Sequence, residues 1–269
     1  MKRGIERLLG CLWLAACGSV ATPALAGQTV YFQHRDAQYL YRGQHEGGAA
    51  LIPDGADAET ALPLVVFLHG TNSAGELHLW FGGGGRDLRP LVEHLMHEQA
   101  VRPLVFAGPS QTRGATLART AWEDFDLHAF IDDVVTATAG AVKIDREQVL
   151  LAGHSGAGCN PDGGLASDFW SAQRELPLAL VSIDPCLDRE LGRAFARRPS
   201  TVPLWLSWQS AIWTRSPEQF AAGLSEHKPP GRVDRLLELP ATGVNPHEAI
   251  VPVALERALR EAFPVGDPS

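Results

Sequence analysis

The sequence predicts an α/β protein with one mostly parallel central sheet and helices on both faces. Three observations carry this. Short apolar runs of strand length alternate with stretches whose apolar residues recur at helical spacing, the order that a parallel sheet with crossover helices requires. The 269 residues, 45% hydrophobic and 20% charged, are enough for one sizeable core and are unlike a disordered composition. Finally, Val149-Leu150-Leu151-Ala152 is a short apolar strand that runs into Gly153-His154-Ser155-Gly156-Ala157-Gly158, a serine with small residues on both sides that permit a tight turn.

Taken in order, the first residues are not part of the fold. Lys2, Arg3 and Arg7 precede the apolar stretch Leu8 to Ala16, and Ala24-Leu25-Ala26 offers small residues at the spacing a signal peptidase reads. Residues 1–26 are therefore expected to be an export signal cleaved before Gly27, leaving a single domain over 27–269. The apolar run is too short to span a bilayer. Leu14-Ala15-Ala16-Cys17 also resembles a bacterial lipobox, which would leave Cys17 lipidated at a membrane surface. Both readings place the protein outside the cytoplasm, periplasmic or secreted.

After an irregular or hairpin start at Thr29 to Arg42, the expected strands are Leu64 to Leu68, Leu104 to Ala107, Gln148 to Ala152, Leu178 to Ile183, Leu204 to Trp208 and Arg232 to Leu239. The expected helices are Arg86 to Gln99, with Leu88, Leu91, Val92, Leu95 and Met96 on one face, then Asp126 to Ala139, and a closing helix Ala249 to Phe263. The segment between Leu187 and Pro203 has room for one helix, so no large lid domain is expected there.

Charge narrows the partners. Cleavage after residue 26 removes three basic residues and one acidic one, leaving 20 against 30 and moving the net charge from −8 to −10. An acidic chain without a dense Lys/Arg patch is a poor partner for nucleic acid. Arg193, Arg197 and Arg198 are the one cluster and fit a solvated helix face. Metal and cofactor readings fail on spacing: there is no His-Glu-x-x-His, no paired Cys-x-x-Cys and no acidic calcium loop. The Gly82-Gly83-Gly84-Gly85 tract has neither a following lysine nor a dinucleotide fingerprint, and is expected to be a rim loop.

A serine hydroxyl is a weak nucleophile at neutral pH, so an enzyme presents it on a turn beside a base and beside donors for the oxyanion. Gly153-His154-Ser155-Gly156-Ala157, following an apolar strand, resembles the nucleophile elbow of the α/β-hydrolases, Gly-x-Ser-x-Gly between a strand and a helix. Ala157 departs from the pattern but stays small. The resemblance implies the α/β-hydrolase fold and makes Ser155 the nucleophile. It also places one oxyanion donor after Val65-Val66-Phe67-Leu68-His69-Gly70-Thr71-Asn72 and the other just after the serine, which are Thr71 and Gly156. His69 is expected to tie down that loop.

The same resemblance places the base after the last strand, where Leu239-Pro240-Ala241-Thr242-Gly243-Val244-Asn245-Pro246-His247-Glu248 offers His247, alone among ten histidines. His154 reads as a packing residue. The acid is less direct. Many members of the family carry it after the strand Pro203 to Trp208, yet Gln209, Ser210, Ala211, Ile212 and Trp213 follow, with no carboxylate before Glu218. One strand earlier, Val181-Ser182-Ile183-Asp184-Pro185-Cys186 ends in Asp184, a location that some lipases of the fold use. Asp184 is the expected acid and Asp188 the second candidate; Asp184 also fits a turn cap before Pro185.

In a hydrolase sheet the strands leading to Cys159 and Cys186 are neighbours, so a Cys159–Cys186 disulfide would staple the nucleophile turn to the acid loop; two buried free thiols are the other reading. Asn160-Pro161-Asp162-Gly163-Gly164 should break the helix after the serine, which would resume near Leu165. Trp208 and Trp213 flank the carboxyl end of a strand and could wall an apolar acyl or aromatic pocket. The expected function is hydrolysis of a carboxylic ester, small or lipid-like, without a cofactor. A serine peptidase, an amidase, an acyltransferase and a non-catalytic binding protein on the same fold stay open, as does the oligomeric state.

Overall fold

The computed structural model describes residues 27–34, 47–71, 86–110, 121–166, 177–197, 202–211, 216–240 and 243–266. Residues 1–26, with the expected export signal and Cys17, lie outside them, as do the Gly82 to Gly85 tract and Trp213.

Eight strands form one sheet: β1 (Gln28–Phe32), β2 (Gly48–Ile52), β3 (Ala61–Leu68), β4 (Val105–Pro109), β5 (Lys143–His154), β6 (Ala179–Ile183), β7 (Leu204–Trp208) and β8 (Arg235–Glu238). Their order is β1-β2-β4-β3-β5-β6-β7-β8. β1 pairs with β2 and β2 with β4 antiparallel, and the remaining neighbours are parallel. Five helices accompany them: α1 (Arg89–His97), α2 (Leu127–Thr138), α3 (Arg189–Arg197), α4 (Pro217–His227) and α5 (Pro246–Ala262).

The central strands read as unbroken apolar runs because both of their faces are covered. In β3, Leu62, Leu64, Val66 and Leu68 enter a core that also holds Phe130 of α2, Leu191 and Phe195 of α3 and Phe220 of α4. Val65 and Phe67 point the other way, into a core with Val92 and Leu95 of α1 and Ile250, Leu255 and Leu259 of α5. The sheet is thus a shared wall between two apolar layers.

The expected architecture holds, with corrections at element ends. The hairpin start is real, but its second strand is β2, which the expected range of Thr29 to Arg42 does not reach. The last strand is four residues long instead of eight, because Arg232 and Asp234 turn aside into a buried ion pair, Arg232 Nη2 lying 3.0 Å from Asp234 Oδ2. α2 starts where Asp126 caps it, accepting the Ala129 N–H at 3.1 Å. α4 lies outside the expected set. Only Phe220, Gly223 and Leu224 of its eleven residues are buried, too sparse for a clear apolar period, although Ser216 as cap and Pro217 at the first position mark its start.

Candidate active site

The site is assembled at the carboxyl ends of the parallel strands, where open α/β sheets bind ligands. β5 ends at His154, and the chain then enters a single 3-10 turn, Ser155–Gly158. Ser155 takes φ 51°, a left-handed conformation that costs a non-glycine residue about 1–3 kcal/mol and lifts its hydroxyl clear of the strand end. The glycines around it are dictated by contact. A Cβ on Gly153 would sit 2.9 Å from the Ala157 Cβ, so with alanine at 157 only glycine fits at 153. The helix expected after the serine breaks as anticipated, though both pieces are 3-10 turns: the second, Gly164–Ala166, follows Asn160 to Gly163, and the next ten residues lie outside the described set.

His247 approaches from the other end of the chain. The sequence places it in a loop ahead of the last helix, but it lies in the first turn of α5, which starts three residues earlier because Pro246 presets a helical φ at the first position. Ser155 Oγ donates to His247 Nε2 at 2.9 Å, and His247 Nδ1–H donates to Asp184 Oδ2. This tautomer follows from the partners, since a carboxylate accepts only and leaves Nε2 to accept from the serine.

Asp184 follows β6 at once, with φ 48°, and is 0% exposed. Its backbone N–H donates to the Ser207 carbonyl at 2.7 Å, and Gln209 Nε2–H donates to Oδ2 at 3.0 Å. A buried carboxylate needs such partners, and this one has them from Gln209 after β7 and from His247 on α5. Asp188 is placed differently: Oδ1 accepts the Leu191 N–H at 2.9 Å at the start of α3. Gln209, immediately after β7, stands where the sequence lacks a carboxylate, and reading that strand end only for acids passes over it.

The opposite side is formed by the loop after β3. Gly70 lies so close to the serine that a Cβ there would be 3.2 Å from the Ser155 Cβ, and one on Gly156 would lie 2.7 Å from Thr71 Cγ2 and 3.1 Å from the Thr71 amide nitrogen. Gly156, the residue after Ser155, and the Thr71 amide are therefore adjacent, and only glycine fits at 156. His69 Nδ1–H donates to the Gly70 carbonyl at 2.6 Å, and its own carbonyl accepts Trp122 Nε1–H at 2.9 Å. Buried Trp122, itself at φ 60°, also accepts the Gly164 N–H at 2.9 Å, tying the loop after β3 to the segment after the serine.

His154 does more than fill space. Its ring lies 4.5 Å from that of His247, and its Nε2–H donates to the His247 carbonyl at 3.0 Å. Cys159 and Cys186 are bonded, Cα atoms 4.9 Å apart, joining the turn after Ser155 to the loop after Asp184 across neighbouring strands β5 and β6. Trp208 packs against the core shared with α2, α3 and α4. A cavity of about 390 Å³ between β8 and α5, beside Trp205 and Arg257, includes none of Ser155, Asp184 or His247 in its lining. Among the described residues, no group of three or more His, Cys, Asp or Glu side chains is placed to hold a metal ion, and no helix is long and apolar enough to cross a membrane.

No protein-family model and no curated protein matches the chain. Solved structures do. A ferulic acid esterase superposes with a TM-score of 0.60 at 11% identity over 89% of this chain and 98% of that one. The feruloyl esterase module of Clostridium thermocellum, complexed with sinapinate, gives 0.60 at 12% identity over 88% of each chain. A fluorophosphonate-binding serine hydrolase of Staphylococcus aureus gives 0.55 at 13% identity over 88% and 98%. With the sheet order and the elbow after β5, these likenesses show that the chain has the α/β-hydrolase fold.

Proposed function

We propose that the protein is a serine hydrolase that cleaves carboxylic esters through Ser155, His247 and Asp184. The observation that carries this reading is the continuous hydrogen-bonded chain from Ser155 Oγ through the His247 ring to Asp184, with the serine held in a left-handed conformation at a strand end. His247 takes the Ser155 proton as Oγ attacks the ester carbonyl, and Asp184 keeps the ring in the tautomer that can accept it. The Gly156 and Thr71 amides stabilise the oxyanion. His247 then gives its proton to the leaving alcohol, and water, activated by the same ring, releases the acid and restores Ser155.

The superposing esterases put hydroxycinnamate esters beside simple acyl esters as the first substrates to try. We also propose that residues 1–26 direct export, so that the protein acts outside the cytoplasm. The test is turnover of 4-nitrophenyl esters from acetyl to dodecanoyl and of methyl ferulate, by the parent and by Ser155→Ala. Hydrolysis of at least one ester by the parent, abolished in the variant, is expected. A folded parent inert to the whole series, or a variant as active as the parent, overturns the reading.

A further inference from the structure

We propose that Gln209 is a positioning residue of this site, aiming the Asp184 carboxylate at His247. The proposal rests on the triad reading above and adds to it a part for the strand end that carries no acid.

An aspartate does not fix its own carboxylate, because rotation about its last side-chain torsion is broad and nearly two-fold. Partners must set it. Asp184 Oδ2, the oxygen that accepts from His247, accepts a second hydrogen bond from Gln209 Nε2–H at 3.0 Å, and the Gln209 backbone N–H approaches Oδ1 at 3.4 Å. Both carboxylate oxygens are thus addressed from one residue.

The amide can point only one way. Gln209 Oε1 accepts the Ala211 N–H at 2.8 Å, which an amide nitrogen could not do, so Nε2 is left facing the carboxylate. Gln209 is 2% exposed, so water does not replace these bonds freely. One end of the side chain is anchored to the loop after β7, and the other holds the carboxylate at the end of β6. The neighbouring strands keep that spacing, with Ile183 opposite Ser207 in the parallel register. A glutamine that served only to fill space would need neither orientation.

A double-mutant cycle tests this, with parent, Gln209→Met, Asp184→Ala and the double variant compared by fluorophosphonate inactivation rate and by kcat and KM on an ester the parent cleaves. Methionine keeps the length and bulk of glutamine and drops the donor. The expected result is a kcat and an inactivation rate about tenfold to a hundredfold lower in Gln209→Met with KM unchanged, the size of a lost hydrogen bond to a charged group. In the Asp184→Ala background the same substitution should change the rates by no more than about twofold. Gln209→Ala, which leaves room for water, carries the same comparison should methionine prevent folding. Equal losses in both backgrounds, or no loss in the parent background, overturn the positioning role while leaving the triad standing. A parent that does not react, or an Asp184→Ala variant as fast as the parent, overturns the triad and this proposal with it.

Discussion

Ser155 and Asp184 both hold left-handed backbone, φ 51° and 48°, and Trp122 beside the loop after β3 holds φ 60°. Three such residues around one site concentrate strain where groups must be aimed. Ser155 is legible from its glycine-flanked turn after an apolar strand, whereas His247 and Asp184 are reached only through the hydrolase resemblance, with Asp188 and a turn cap before Pro185 as competing readings. Their partners are not. Gln209 carries no charge, His154 reads as packing, and only three dimensions place the one on Asp184 and the other against the His247 ring. If Asp184 holds the tautomer of His247, then Asp184→Asn should keep the fold and lower kcat by about ten thousandfold on any ester the parent cleaves. Circular dichroism and steady-state kinetics on one preparation check both halves, and turnover near that of the parent would remove Asp184 from the triad.

At the scale of elements, the site is held by ties between neighbours. The Cys159–Cys186 disulfide joins the turn after β5 to the loop after β6; α3 follows that loop, and Ser216 at the start of α4 donates its N–H to the Leu187 carbonyl at 3.3 Å. These two helices meet backbone to backbone: a Cβ on Gly192 would lie 2.2 Å from the Phe220 carbonyl oxygen, and one on Gly223 the same distance from that of Arg189. Across their exposed ends Glu226 accepts from Arg193 and Arg189, and these hydrogen bonds pull its carboxyl from 4.5 down to about 2. A folded-state value below the unfolded one means that the clamp stabilises fully above pH 4.5 and is lost as pH falls from there through about 2. Glu226→Gln should therefore lower Tm slightly at pH 7, the gap closing toward pH 2 and shrinking in high salt, since the groups are solvated. Thermal melts of both proteins across that range check this, and a gap independent of pH would exclude the clamp. Arg193 was legible as part of a solvated helix face, but its partner was not, because Glu226 lies on a helix whose apolar pattern is too thin to announce it.

For the whole molecule, the fold was legible because its central strands are buried on both faces and α1, α2 and α5 each show an apolar stripe, patterns that sequence states directly. What escaped is α4, with too few apolar residues to show a period, together with β2, whose pairing with β1 spans residues that carry no periodicity, and the start of α5, where a proline in the first helical position looks like loop. That early start carries His247 on a helix packed against β5, β6 and β7, so His247 and Ser155 are held by one sheet. The central claim is that this sheet activates Ser155. The measurement that tests it most directly is the intact mass of the purified protein after exposure to a fluorophosphonate, beside Ser155→Ala and His247→Ala. A single adduct on the parent and none on either variant is the expected result. A folded parent without an adduct, or an adduct that persists in Ser155→Ala, would contradict it.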